Sequence, residues 1–148
     1  MVHAPDSLLQ PLRAMRQYWQ LPGAVRAAGR RDRRGVPEED PGIERCVDAG
    51  IAWLARAQDC SASRDGGVAR HFNLVTGWST SYPETTGYIV PTLLAYADRR
   101  HGDQTRARAQ RMLDWLRSLQ FAEGGFQGGV IFEKPVVPVV FNTGQILI

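Results

Sequence analysis

Lysine is almost missing from this chain. Of 18 basic residues in 148, only Lys134 is a lysine. So one-sided a choice reads as genomic composition bias, and arginine richness alone does not argue for phosphate binding. Cysteine is sparse as well. Cys46 and Cys60 set up no paired spacings, and His3, His71 and His101 are scattered, so neither a disulfide framework nor a zinc-like cluster is expected. Metal and other cofactors are expected to be none, and the cysteines to fill packing or loop positions. Long apolar runs are missing too. No stretch approaches the ~18 residues of a membrane span. Pro11, Arg13, Arg16 and Gln17 interrupt the apolar core that a signal peptide requires. The expectation is a cytoplasmic protein with no membrane span.

What remains is ordinary for a globular chain, with 43% apolar residues at the length of one domain. The formal charge of +3 is unevenly spread. Residues 1–34 hold seven arginines against Asp6 and Asp32, leaving 11 basic and 13 acidic residues for the remainder. The cluster Arg26, Arg30, Arg31, Arg33 and Arg34 has no interleaved aromatics and reads as a solvated arm, with no nucleic-acid partner.

Two passages of the chain occur twice. Trp53-Leu54-Ala55-Arg56-Ala57-Gln58 leads to Asp65-Gly66-Gly67-Val68, and Trp115-Leu116-Arg117-Ser118-Leu119-Gln120 leads to Glu123-Gly124-Gly125-Phe126. Thr86-Gly87-Tyr88-Ile89-Val90 returns as Thr143-Gly144-Gln145-Ile146-Leu147. The offsets, about 62 and 57 residues, fall within or just beyond the range of a repeated supersecondary unit.

Residues 7–20 predict a helix with Leu8, Leu9, Leu12, Met15 and Trp19 on one side and Pro11 in its first turn. Residues 22–42, rich in Gly, Pro and Arg, predict a linker, so 1–42 is set apart from 43–148. Ile43, Cys46, Val47, Gly50, Ile51, Leu54 and Ala55 then form an amphipathic helical stripe, which returns as Ala109, Met112, Leu113, Leu116 and Leu119. The helix near Thr86 differs. Its run from Tyr88 to Ala97 has little polar surface and is expected to be buried on most sides, with Thr85 or Thr86 as cap and Pro91 marking either a kink or a later start. An equivalent helix starts near Phe141, capped by Asn142 or Thr143, and runs into the apolar end at Ile148 without a stop signal. The first hairpin spans 43–100 and the second, read as truncated, 103–148, with a turn at His101-Gly102-Asp103. The expected fold class is all-α, with half-wet helices covering buried ones. Missing C-terminal hairpins are expected to pack on residues 86–98 and 141–148.

In this respect the sequence resembles the α/α-toroid families, namely terpenoid cyclases and protein prenyltransferases, and six-hairpin glycosidases with related lyases and epimerases. Gln120-Phe121-Ala122-Glu123-Gly124-Gly125-Phe126 fits the Gln-x-x-x-Gly-x-aromatic motif of squalene-cyclase-like proteins. The earlier copy departs from it, with four extra residues after Gln58 and Val68 in the aromatic place. The resemblance covers residues 43–148 and implies part of an (α/α) toroid whose central cavity holds the substrate. Gln and Gly also have a structural account: Gln bonds exposed backbone groups at a helix end, and Gly supplies positive φ.

Three patches are expected to meet at one rim: Asp65 with Arg70 and His71; Trp78 to Tyr88; and Glu123, Phe126 and Gln127 with Asn142 and Gln145. Flat faces on Trp78, Tyr82 and Tyr88, beside hydroxyls and a carboxylate, suit a sugar. Asn142 and Gln145 complete the candidate binding set. Glu84 and Asp65 are the candidate catalytic carboxylates. Desolvation before a buried helix favours protonated Glu84, while the helix dipole favours its anion. A carboxylate pair serves glycoside cleavage at about 5–5.5 Å for retention, or about 6.5–9.5 Å for inversion. Glu84 is also placed to cap its helix, Asp65 to make a turn, and Trp78 and Tyr82 to pack the loop. The function expected is a carbohydrate-active or polysaccharide-biosynthesis enzyme: hydrolase, lyase or epimerase. The alternatives are a terpenoid cyclase or prenyltransferase, whose Asp-rich or Asp/Cys/His zinc motifs are missing here, and a non-catalytic glycan-binding toroid.

Overall fold

A computed structural model describes residues 6–35, 38–100 and 102–147, with side chains from residue 11 onward. His3, Pro37, His101 and Ile148, and the side chains of Leu8 and Leu9, lie outside the described residues. The chain forms two units, residues 1–40 with 73–77 and residues 41–72 with 78–148.

In the first unit, α1 (Asp6–Gln20) carries Pro11 in its second turn, one turn later than expected. The predicted linker is in part a helix, α2 (Gly23–Asp32). Its glycines suggested a loop, but Ala24, Ala27, Ala28 and the arginines are good helix formers, and Arg30 and Arg31 oppose the dipole in the last turn. Two of the arm's arginines are engaged: Arg26 lies 5.2 Å over the Trp19 ring and Arg33 5.7 Å over Tyr18.

The second unit holds four helices: α3 (Ile43–Asp59), α4 (Pro83–Arg100), α5 (Asp103–Leu119) and α6 (Val140–Ile146). The two-residue strands β1 (Phe72–Asn73) and β2 (Gly77–Trp78) sit in the loop between α3 and α4. The protein is therefore mostly helical. No described helix is long and apolar enough to cross a membrane. Helix α4 starts at Pro83, where a missing N–H costs nothing. Glu44 and Asp48, early in α3, meet Arg100 and Tyr96, late in α4, so these two helices run antiparallel. Helix α4 packs on both α5 and α6.

The repeated residues make repeated contacts. Gln58 Nε2 donates to the Gly66 carbonyl at 2.8 Å, and Gln120 Nε2 to that of Gly124 at 2.9 Å. The Val68 N–H donates to Thr86 Oγ1, and the Phe126 N–H to Thr143 Oγ1, both at 3.0 Å. The Tyr82 N–H donates to the Val68 carbonyl, and Val139 to that of Phe126, again both at 3.0 Å. Gly66 and Gly124 hold φ of 103° and 91°, which a side chain would strain. Both loops thus return to the helix that follows them, α4 or α6, by one hydrogen-bond scheme, despite the four extra residues in the first.

Two expectations about capping change. Thr86 and Thr143 do not cap their helices. Tyr82 and Val139 occupy those places, and both threonines spend their hydroxyls on the preceding loop. Asn142 likewise turns to Glu84. Burial of α4 also differs from expectation. Thr86, Gly87, Val90, Leu93 and Ala97 form a single buried stripe, while Tyr88, Pro91, Thr92 and Ala95 are exposed. The core against this stripe comprises Ala57, Val68, Ala109 and Met112. A second cluster joins Trp115, Leu116 and Phe126. On α3, the predicted stripe is half uncovered: Ile43, Cys46, Val47 and Gly50 face solvent. Neither cysteine is packed, for Cys60 is exposed too.

Arg108 ties the end of α3 to α5. Its two terminal nitrogens donate to Asp59 Oδ1 and Oδ2, each at 2.7 Å. This fork holds the Asp59 carboxyl below its ordinary range. The bond's stabilisation is therefore present above the unfolded carboxylate value of about 3.9 and lost as pH falls through the lower folded one. Asp59 is half exposed, which keeps the effect within about 0.2–1 kcal/mol. Urea unfolding at pH 6 and pH 3 should show the native chain losing that much more stability on acidification than Asp59→Asn.

Candidate functional site

Beyond the end of α3 the chain alternates Ser61, Ser63 and Asp65, and this alternation gathers a hydroxyl cluster. Ser61 Oγ lies 2.7 Å from Ser81 Oγ and 3.1 Å from Ser63 Oγ. Ser63 Oγ donates to Ser81 Oγ and accepts from the Ser81 N–H, each at 3.0 Å. Asp65 Oδ1 accepts from Ser81 Oγ at 2.5 Å and from the Gly67 N–H at 3.1 Å. Among the described residues no hydrogen bond reaches Asp65 Oδ2. Ser61 and Ser81 are buried, whereas Asp65 and Ser63 face solvent.

These groups floor a cavity of about 200 Å³, lined by Ser63, Asp65, Thr80 and Ser81 on one side and by Val130, Ile131 and Phe132 on the other. The second side is built by Gln127. Buried, it donates from Nε2 to the carbonyls of Val130 and Glu133 and accepts through Oε1 from the Phe132 N–H at 3.1 Å. Phe132 takes a φ of 66°, sparsely populated for a bulky residue, and its ring is 80% exposed. Phe132 thus presents its side chain to solvent from a sparsely populated backbone conformation, across the cavity from Asp65.

The other predicted residues divide into separate groups. Asn142 is buried and donates from Nδ2 to Glu84 Oε2 at 3.4 Å, joining one candidate from each hairpin. Asp65 and Glu84 engage different partners. Trp78 packs with Trp53 and Phe72, at ring-centroid distances of 4.8 and 4.9 Å. Arg70 sits 4.8 Å over the Tyr82 ring. Those two aromatics thus have partners within the loop. Tyr88 is exposed, at 45%, and Gln145 is half-buried with its carbonyl against Gly87. His71 offers its backbone N–H to Ser79 Oγ. Among the described residues, no group of three or more His, Cys, Asp or Glu is placed to hold a metal.

Sequence reasoning missed Ser61, Ser63 and Phe132. The Ser-x-Ser-x-Asp alternation was the available signal for the serines. Phe132 had none, because its place depends on the loop that Gln127 folds. No protein-family model matches this sequence, nor does any curated protein or solved structure.

Proposed function

We propose that this chain supplies helical hairpins to an α/α toroid and binds a saccharide at the Asp65 cluster, as part of a carbohydrate-active or polysaccharide-assembling protein. The observation that carries this reading is the cavity of about 200 Å³ with hydroxyls and a carboxylate on one side and exposed Phe132 on the other. A sugar ring needs that pairing: an apolar face for stacking and donors and acceptors for its hydroxyl edge. Asp65 accepts sugar hydroxyl protons, and the serine and threonine hydroxyls turn either way to match. A hydrocarbon substrate would bury the Asp65 carboxylate with nothing to bond its Oδ2, which favours sugar over terpenoid.

In a catalytic version, Asp65 is one carboxylate and Glu84, steadied by Asn142, the other. Tyr88 and Gln145 extend the rim, while Trp78 and Tyr82 support it through their own ring contacts. Further hairpins cover residues 86–98 and 141–148 and close the cavity.

Calorimetric titration with neutral and uronate-containing oligosaccharides tests the reading. Saturable binding is expected, weakened at least about tenfold (about 1.4 kcal/mol) by Asp65→Asn and by Phe132→Ala. Product formation that Glu84→Gln abolishes makes the protein an enzyme. Binding without turnover makes it a glycan receptor. No saturable binding to any sugar, or binding indifferent to both substitutions, contradicts the proposal.

A further inference from the structure

Helix α1 leaves one apolar row uncovered. Leu12, Met15 and Trp19 are 59, 57 and 66% exposed. At 3.6 residues per turn they fall within about 60° of one another around the helix. Helix α2 and residues 73–77 belong to the same unit and leave the row open. A single exposed apolar side chain is ordinary, but a contiguous row of them marks an interaction surface.

Cations border this row. Arg26 lies over the Trp19 ring and donates to the Trp19 carbonyl at 3.4 Å. Tyr18 meets Trp19 edge-on, with 5.9 Å between ring centroids, and lies under Arg33. A hydrogen bond from Arg33, reinforced by Arg30, holds the Tyr18 hydroxyl below its ordinary pKa, so both guanidinium groups reach back to α1. On the other edge, exposed Arg16 stands about 40° past Leu12. Residues 6–35 hold seven arginines against Asp6 and Asp32, and Glu38, Glu39 and Asp40 follow only beyond α2.

Aliphatic and indole groups on one helix face, ringed by arginine and without a long apolar run, are the features of a helix that lies in a bilayer interface. Arginine stems stay with the apolar groups there while their heads reach lipid phosphates. A nucleic acid would engage the arginines but has no place for Leu12 and Met15. At 15 residues α1 is too short to span a bilayer, so it lies in the plane.

We propose that the α1–α2 unit docks on a membrane surface carrying anionic lipid, with Leu12, Met15 and Trp19 below the headgroups and the arginines on the phosphates. No saccharide is needed for it.

Co-sedimentation of the full 148-residue chain with vesicles tests this, using phosphatidylcholine alone and phosphatidylcholine with about 30% phosphatidylglycerol. Binding is expected to the anionic vesicles only, and should weaken as salt is raised. Leu12→Ser with Met15→Ser leaves the charge unchanged and should weaken binding at least about tenfold through lost apolar burial. Arg31→Gln with Arg34→Gln leaves the row intact and should weaken it about fivefold per arginine. All four positions are exposed, so far-ultraviolet circular dichroism should not change. Lipid brominated along its chains should quench the native tryptophan emission, and that of Trp19→Phe clearly less. No vesicle binding, equal binding to neutral vesicles, binding indifferent to Leu12→Ser with Met15→Ser, or quenching unchanged in Trp19→Phe would overturn the proposal. Retention of an oligonucleotide in place of vesicles would overturn it in favour of a nucleic-acid partner.

Discussion

Replacing Trp115 with alanine is expected to lower the unfolding free energy by about 3–5 kcal/mol, the range for losing a large buried aromatic. Trp115 is 7% exposed, lies on Gly67, and joins Leu116 and Phe126 in the second core cluster. It therefore links the loop before α4 to α5. Its repeat counterpart, Trp53, is 46% exposed, and Trp53→Ala should cost clearly less. Denaturant unfolding of both variants measures the difference. Equal losses would mean that the two tryptophans do not occupy different stages of one repeated contact.

The second large effect is expected at Thr86. This residue is fully buried, accepts the Val68 N–H, and donates to the Tyr82 carbonyl at 2.8 Å. Valine has the same shape but no hydroxyl, so Thr86→Val strands the buried Val68 N–H, at a cost of about 1–3 kcal/mol. Thr86→Ser keeps the oxygen and should recover most of that loss. The equivalent Thr143→Val should cost less, because Thr143 is only half-buried whereas Thr86 is fully buried. Amide exchange at Val68 gives an independent readout: protection should fall in Thr86→Val and persist in Thr86→Ser.

Much of the helical layout was legible because it rests on local periodicity. The 3.6-residue pattern placed α3 and α5, and the duplicated Trp, Gln, Gly-Gly and Thr-Gly residues marked the loops that proved to share one hydrogen-bond scheme. Two helical features were not legible. Residues 23–32 looked like a linker because glycine and proline flank a stretch of good helix formers. Helix α4 looked buried all round because composition reports hydrophobicity but not what covers it, and Tyr88, Pro91 and Ala95 are exposed.

The candidate site was harder to read. Asp65 could be singled out as a carboxylate in a glycine turn, but its serine partners come from positions up to 20 residues apart in sequence. Trp78 and Tyr82 looked like a sugar platform, yet Phe72, Trp53 and Arg70 take up their faces. Phe132 reaches the cavity through three hydrogen bonds of Gln127, a tertiary effect with no local signature.

The central claim is that the two loops share one hydrogen-bond scheme, but among the described residues a helix is seated on Gly87 of α4 and none on its counterpart Gly144 of α6. Alanine substitution at Gly87 and at Gly144, followed by urea unfolding in dilute solution, tests it most directly. Gly87→Ala drives a methyl group into the α6 backbone and should cost about 1–3 kcal/mol. Gly144→Ala meets open space inside a helix and should leave stability unchanged or raise it by about 0.5–1 kcal/mol. Equal effects at the two glycines, or a larger loss at Gly144, would contradict the account.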